Sequence, residues 1–225
     1  MKLLAFDTSS TACSIGLSIN GKVILRHEIA PMQQAKIILL LLKELLEVEN
    51  IQIHQLDAIA FGCGPGSFTG VRIAVSVAQG LAYAAQKPLL PVSSLAALAQ
   101  AAYQDLGWKK VLTAVDARMG EIYWASYEVQ ENHLVKLIGK EQISRPENII
   151  LPDATECGVG NAWDVYGSQI PFKPTLISTD QFPTAAAILL LAAAKFQRGE
   201  TVLPQEATPV YLRDDVAKKM SEQKK

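Results

Sequence analysis

The feature that most constrains the fold of this chain is a strand pattern that occurs twice. Each copy reads strand, aspartate, short turn, strand, turn, strand. The first copy spans residues 3–29 and contains Asp7, and the second spans residues 111–140 and contains Asp116. In the first copy, Asn20-Gly21 is a strong two-residue hairpin signal, because both residues accept positive φ. Strands joined by such short turns pair antiparallel, so each copy predicts a three-stranded antiparallel meander.

The repeat divides the chain into two α/β halves, each expected to form a mixed sheet covered by helices. Residues 57–61 and 88–92 are predicted strands on either side of a helix, an arrangement that makes the two strands parallel. We expect a first subdomain over residues 1–106 and a second over residues 107–225. For the final helix and tail, about residues 183–215, packing back onto the first subdomain remains an open alternative.

A glycine-rich stretch from Phe61 to Ala85 begins as a strand, turns, and becomes a helix. Glycine occupies positions 62, 64, 66 and 70, and both Ser67 and Thr69 suit the N-cap of the helix. Two interpretations remain open. The glycines allow a tight strand-to-helix turn, or the loop binds an anion at the helix N-terminus. The loop lacks the lysine of a Walker A loop and the glycine spacing of a dinucleotide-binding loop.

Two helices of the first half, predicted over residues 33–48 and 69–85, are apolar on nearly every side. A half-domain of about 100 residues buries only roughly two thirds of its surface, so we expect these helices to bind a partner. The alternative is that both are buried core helices. In the second helix, small residues spaced by four form a bare ridge that another helix can approach closely. The expected interface residues are Ile37, Leu41, Leu45, Gly70, Ile73, Ala74, Val77, Ala78, Leu81 and Ala82. With the ridge at the centre, Ala78→Arg is expected to leave the fold intact and abolish pairing.

Composition and charge exclude several classes of protein. The formal net charge is −1, from 21 basic and 22 acidic residues, which provides no electrostatic surface for binding nucleic acid unaided. Three cysteines without a CxxC pair indicate neither a disulfide framework nor a zinc site. The apolar start ends too early, at Asp7, for a signal peptide, and the other apolar runs are too short to span a bilayer. We expect a cytoplasmic protein that contacts no membrane.

The sequence offers little for catalysis. Its histidines, His27, His54 and His133, include no pair spaced by four, the spacing with which one helical face presents two imidazoles to a metal. The chain also lacks a nucleophile elbow. We therefore expect no catalytic residue and no bound metal.

Four sequence strings occur in a fixed order along the chain. They are Phe6-Asp7-Thr8-Ser9, Gly64-Pro65-Gly66-Ser67-Phe68-Thr69-Gly70-Val71-Arg72, Asp116-Ala117-Arg118-Met119-Gly120-Glu121-Ile122-Tyr123 and Pro209-Val210-Tyr211-Leu212-Arg213. Together they resemble the TsaB family, also called YeaZ, over essentially the whole chain, and the second string is the specific one. This family belongs to the actin, Hsp70 and sugar-kinase superfamily. The resemblance therefore implies two tandem actin-like (ASKHA) subdomains.

The resemblance also implies a function. It implies a non-catalytic scaffold or activator subunit of the bacterial machinery that places threonylcarbamoyl on the adenosine beside the anticodon of certain tRNAs. Such a subunit pairs through helices of its first domain with TsaD, a metal-containing paralogue, and the ATPase TsaE joins that pair. Alone it forms a homodimer through a similar surface, and it meets tRNA only through the complex. No tightly bound cofactor is implied.

The alternative from the same superfamily is an ATP-handling phosphotransferase. There, a turn like the one at Asp7 wraps the phosphates and holds magnesium through water, and the second-half turn near Asp116 faces it. Residues 158–160 would back the adenosine. The absence of a lysine beside the glycines argues against this alternative, although ATP with magnesium at an interface shared with a partner stays open. The candidate nucleotide or phosphate contacts are Asp7, Thr8, Ser9, Gly64, Gly66, Ser67 and Arg118.

Overall fold

The computed structural model describes residues 1–150 and 157–213. The sequence also predicts that a short strand begins at Glu156 and that the tail from Lys218 is disordered, and both of these positions lie outside the described residues. The elements in chain order are β1 (Lys2–Asp7), β2 (Ala12–Ile19), β3 (Lys22–Ile29), α1 (Gln34–Val48), β4 (Ala58–Gly62), α2 (Phe68–Ala85), β5 (Leu89–Val92), α3 (Ser94–Leu106), β6 (Lys110–Arg118), β7 (Glu121–Val129), β8 (Val135–Ser144), β9 (Cys157–Val159), α4 (Ala162–Tyr166), β10 (Leu176–Ser178) and α5 (Ala185–Gln197).

The described strands form two five-stranded mixed sheets with the same plan. The first has the order β3-β2-β1-β4-β5, and the second has the order β10-β9-β6-β7-β8. In each, three consecutive strands pair antiparallel, and the added strands run parallel to the first strand of the meander. Both predicted meanders are confirmed. The predicted hairpin is also present, with φ of 50° at Asn20 and 92° at Gly21.

Helices cover both faces of the first sheet, because side chains alternate along its strands. On one face, Leu4 and Phe6 of β1 pack against α1 and α2. On the other face, Leu3 and Ala5 pack against α3 and α5. Helix α3 also packs on the second sheet, where Leu98 contacts the cluster around Val111. Helix α3 thus contributes side chains to the hydrophobic cores of both sheets.

Helix α5 follows the second sheet in the chain but packs on the first. Its N-terminal backbone N–H at Ala185 donates to the Ser14 hydroxyl at 2.8 Å, and Ile188 and Leu189 are buried against β1, β4 and β5. After α5, Val202 forms an isolated bridge with Leu89 on the edge strand β5. The chain then runs along α2 toward the second subdomain. None of the helices in the described ranges is long and apolar enough to cross a membrane.

Candidate functional site

The glycine loop before α2 closes over the Asp7 turn of the same chain. The Ser67 backbone N–H donates to the Ser9 carbonyl at 2.8 Å, and the Thr8 hydroxyl donates to the Gly70 carbonyl at 2.6 Å. A Cβ at Gly70 would clash with the carbonyl oxygen of Thr8, and one at Gly66 would lie 2.7 Å from that of Ser9. The glycines are therefore required for close approach of two backbone segments. Ser67 is also the N-cap of α2, because its hydroxyl accepts from the Gly70 N–H.

This closure corrects part of the predicted nucleotide site. Asp7, Thr8 and Ser9 are buried, with exposed fractions of 1%, 0% and 4%, and Gly64 is buried as well. The concave side of the turn is filled by the glycine loop, so a nucleotide cannot reach these groups in this conformation. Gly66 is half-buried and Ser67 is exposed.

The Asp7 carboxylate accepts three hydrogen bonds from within the chain. Oδ1 accepts from the backbone N–H and the hydroxyl of Ser9, both at 2.8 Å, and Oδ2 accepts from the Ser94 hydroxyl at 3.1 Å. Burial raises the pKa of Asp7 from 3.8 to about 6, although the hydrogen bonds from Ser9 and Ser94 lower it. Asp7 is thus a structural residue that ties the turn to the start of α3.

The raised pKa makes the contribution of Asp7 to stability depend on pH. Because the folded pKa exceeds that of the unfolded chain, this contribution is complete below about pH 4 and is lost as the pH rises through about 6. Asp7→Asn removes the titration. We expect the free energy of unfolding of the variant, relative to the unsubstituted protein, to rise by about 3 kcal/mol between about pH 4 and about pH 8. Urea unfolding at several pH values measures this difference, and a difference that stays constant with pH would contradict it.

The small-residue ridge of α2 faces inward, which corrects the predicted interface. Ala74, Ala78 and Ala82 have no exposed surface, and Gly70 is buried against the Thr8 carbonyl. On α1, Leu41 and Leu45 are likewise buried in the core of the first sheet. The bare ridge lets α2 lie close to its own sheet, so a partner cannot reach these six positions. Ala78→Arg is therefore not expected to leave the fold intact.

The surface that α1 and α2 present to solvent contains a second line of small and apolar residues. On α2, Ile73, Val77, Gly80 and Ala84 follow the spacing i, i+4, i+7, i+11, which places them on one face of the helix. A Cβ built at Gly80 meets nothing within 4 Å. Ile73, Val77 and Leu81, which the sequence named, are half-buried at this surface, as is Ile37 on α1. Sequence analysis missed Leu39 and Phe68, whose exposed fractions are 57% and 54%.

Two grooves lie on this surface, on either side of Leu39. The first has a volume of about 380 Å³ and lies between the middle of α1 and the start of α2, with Ile38, Leu39, Phe68, Arg72, Ile73 and Val77 in its wall. The second, of about 310 Å³, has Leu39, Leu42, Leu46, Ile51, Ile53 and Leu81 in its wall. We call the solvent-facing residues Leu39, Phe68, Arg72, Ile73, Val77, Gly80, Leu81 and Ala84 the α1–α2 face. Together with the two grooves, this face forms an apolar concavity on α1 and α2.

The second-half turn is organised by Arg213 from the C-terminal segment. Its guanidinium donates to the Glu121 carboxylate at 2.5 Å and to the carbonyls of Ala117 and Arg118 at 3.2 and 3.1 Å. Arg118 is exposed and pairs with Asp116 at 2.9 Å. The prediction that Arg118 touches a phosphate remains a prediction.

The predicted adenosine-backing segment is closed by its own chain. Atoms of the Trp163 ring lie 2.7 to 2.9 Å from a Cβ built at Gly158, and a Cβ at Gly160 would clash with the Ala114 carbonyl. Trp163 therefore packs directly against the Gly158 backbone of this segment. Within the described ranges, no group of three or more histidine, cysteine, aspartate or glutamate side chains is arranged to hold a metal ion.

Comparison with known proteins agrees with this architecture. The sequence model of the family described as "TsaD: tRNA N6-adenosine threonylcarbamoyltransferase" matches residues 27–219. The solved structure "YeaZ from Pseudomonas aeruginosa" superposes with a TM-score of 0.89 at 43% identity, covering 94% of this chain and all of that one. Two mixed sheets of this topology, together with that superposition, define a tandem actin-like protein.

Curated relatives show which family of tandem actin-like proteins the chain belongs to. The tRNA threonylcarbamoyladenosine biosynthesis protein TsaB of Escherichia coli (strain K12) is 37% identical over 224 residues, with 96% of each chain covered. The protein of the same name from Haemophilus influenzae is 37% identical over 225 residues, covering 96% of this chain and 95% of its own. The chain belongs to the TsaB (YeaZ) family, within the wider group that the TsaD model describes.

Proposed function

We propose that this chain is a non-catalytic subunit in tRNA threonylcarbamoyladenosine biosynthesis, and that it binds the paralogous TsaD-like transferase through the α1–α2 face. The exposed apolar surface of this face is the observation on which the proposal depends. Leu39 is 57% exposed and lies between the two grooves. A contiguous apolar surface that stays exposed on a soluble protein is typical of a binding site for another protein.

The proposed partner shares the fold, and this supports pairing between equivalent helices. The TsaD family model matches residues 27–219, a span that includes both α1 and α2. A paralogue would present its own two helices in the same relative arrangement, so the pair would form a four-helix interface with pseudo-twofold symmetry. Two copies of this chain would associate in the same way when the paralogue is absent. A TsaE-like ATPase would join the assembled pair.

The contacts within the chain support a non-catalytic role. The Asp7 turn that faces phosphate in the phosphotransferase alternative is closed by Ser67 and Gly70. We place the metal and the transfer chemistry on the paralogue. The role that we assign to this chain is to hold the paralogue in its active conformation. Purified alone, the chain should modify no tRNA, whereas the complete set of proteins should require it.

Leu39→Arg tests the proposal. Arginine in place of an exposed leucine leaves the core untouched but places a charge in the middle of the interface. We expect affinity for the TsaD-like protein of the same host, measured by calorimetry, to fall at least about 100-fold, since an unpaired charge would be desolvated. Formation of threonylcarbamoyladenosine by the reconstituted proteins should fall in parallel.

Leu190→Arg is the matched control. Leu190 is 42% exposed on α5, which covers the opposite face of the first sheet. This variant should bind and support modification as well as the unsubstituted chain. Equal binding by the Leu39 and Leu190 variants would reject the α1–α2 face as the site of pairing.

A further inference from the structure

The first groove of the α1–α2 face contains a single cation, Arg72, in a wall that is otherwise apolar except for Thr69 and Ser76. Arg72 projects from the second turn of α2, between the rings of Phe68 and Tyr211. The second groove differs, because its lysine, Lys43, already pairs with Glu47 of the same helix at 3.7 Å. The first groove is therefore the one with unbalanced charge.

Aromatic rings hold the Arg72 guanidinium in place. Its carbon Cζ lies 3.2 Å from the ring centroid of Phe68 and 5.1 Å from that of Tyr211, and one nitrogen donates to the Phe68 carbonyl at 3.5 Å. Tyr211 is itself fixed next to α2, because the neighbouring Val210 N–H donates to the Cys63 carbonyl at 2.8 Å. Stacking of this kind orients a guanidinium before any ligand arrives.

No carboxylate of the described residues neutralises Arg72. The ion pairs in the ranges 1–150 and 157–213 involve other side chains, and Glu121 is bound by Arg213. The guanidinium thus lines the groove with no anionic partner among the described residues, and an apolar occupant that covered it would leave N–H donors unsatisfied. Such an occupant would cost affinity unless it supplied an acceptor.

We propose that Arg72 forms an ion pair with an aspartate or glutamate side chain of the partner helix that fills the first groove. We propose further that this pair gives the face its specificity for that partner. The inference rests on the proposed function, because it names the chemistry of the same partner. The largely apolar wall requires a helix with an apolar stripe, and the stacked guanidinium requires one carboxylate on that stripe. A charge-assisted, bidentate pair of this kind gives both strength and orientation.

Arg72→Gln, measured against Lys43→Gln, tests the inference. Loss of the Arg72 charge should weaken binding of the TsaD-like protein about tenfold and flatten the dependence of the dissociation constant on salt. Arg72→Glu should weaken it further by repulsion. Lys43→Gln, which removes a cation already paired within its helix, should change binding less than about threefold. Tyr211→Ala keeps the guanidinium but removes one of the rings that orient it. This variant should weaken binding by more than Lys43→Gln and by less than Arg72→Gln.

Charge reversal identifies the carboxylate. Each aspartate and glutamate on the two equivalent helices of the TsaD-like protein is changed to lysine and titrated with the Arg72→Glu variant. One of these changes should restore binding to within about threefold of the unsubstituted pair. Two results would overturn the inference: Arg72→Gln binding with unchanged affinity and salt dependence, or no reversal restoring the Arg72→Glu variant. If the unsubstituted proteins do not bind each other at all, the proposed function itself fails, which is a different outcome.

Discussion

Gly80→Arg should produce a chain that folds normally and no longer pairs. A side chain at Gly80 meets nothing within 4 Å in the monomer, and replacing an exposed helical glycine raises helix stability by up to about 1 kcal/mol. In the proposed complex, however, Gly80 lies at the centre of the face formed by Ile73, Val77 and Ala84, where the partner helix approaches. We expect an unchanged or raised melting temperature and no detectable binding of the TsaD-like protein in calorimetry.

Gly80→Ala is the control for this result. It removes the same flexible glycine but adds only a methyl group, so it should raise stability similarly and weaken binding less than about tenfold. If Gly80→Arg pairs as tightly as Gly80→Ala, the partner helix does not pass over this position. The proposed binding site on the α1–α2 face would then have to exclude Gly80.

Ala78→Arg should prevent folding. Ala78 has no exposed surface and packs with Ala74 and Ala82 against the first sheet. An arginine there would both overpack the core and bury an unpaired charge, and we expect a loss of more than about 4 kcal/mol. Circular dichroism and the yield of soluble protein measure the effect.

Ala84→Arg provides the matched comparison on the same helix. Ala84 is exposed, so the same substitution six residues further along should leave the fold intact. A folded, stable Ala78→Arg protein would show that α2 lies with its other side toward the sheet. In that case the interface predicted from the sequence would be restored.

The architecture was predictable because the decisive signals are local. The Asp7 and Asp116 turns, the Asn20-Gly21 hairpin and the alternation of the strands each depend on a few neighbouring residues. Both meanders follow from them. The packing of Ser67 and Gly70 on the Asp7 turn could not be predicted in the same way, because it brings together segments about sixty residues apart.

The orientation of α2 was the main error, and the helix itself explains it. Small or apolar residues occupy both sides, so the four-residue spacing of Gly70, Ala74 and Ala78 does not distinguish a sheet from a partner helix. A weaker signal in the sequence indicated which side of α2 is exposed to solvent. Arg72 and Ser76 mark the exposed edge, and Gly80 follows Ser76 at the same spacing of four.

Hydrogen–deuterium exchange on the unsubstituted proteins tests the central claim most directly. The chain is compared alone, at a concentration where it is monomeric, and in the presence of excess TsaD-like protein from the same host. We expect slower exchange in peptides from α1 and α2, and unchanged exchange in peptides from α5. No complex, or a complex that protects α5 or the second sheet while α1 and α2 exchange as before, would contradict pairing through the α1–α2 face.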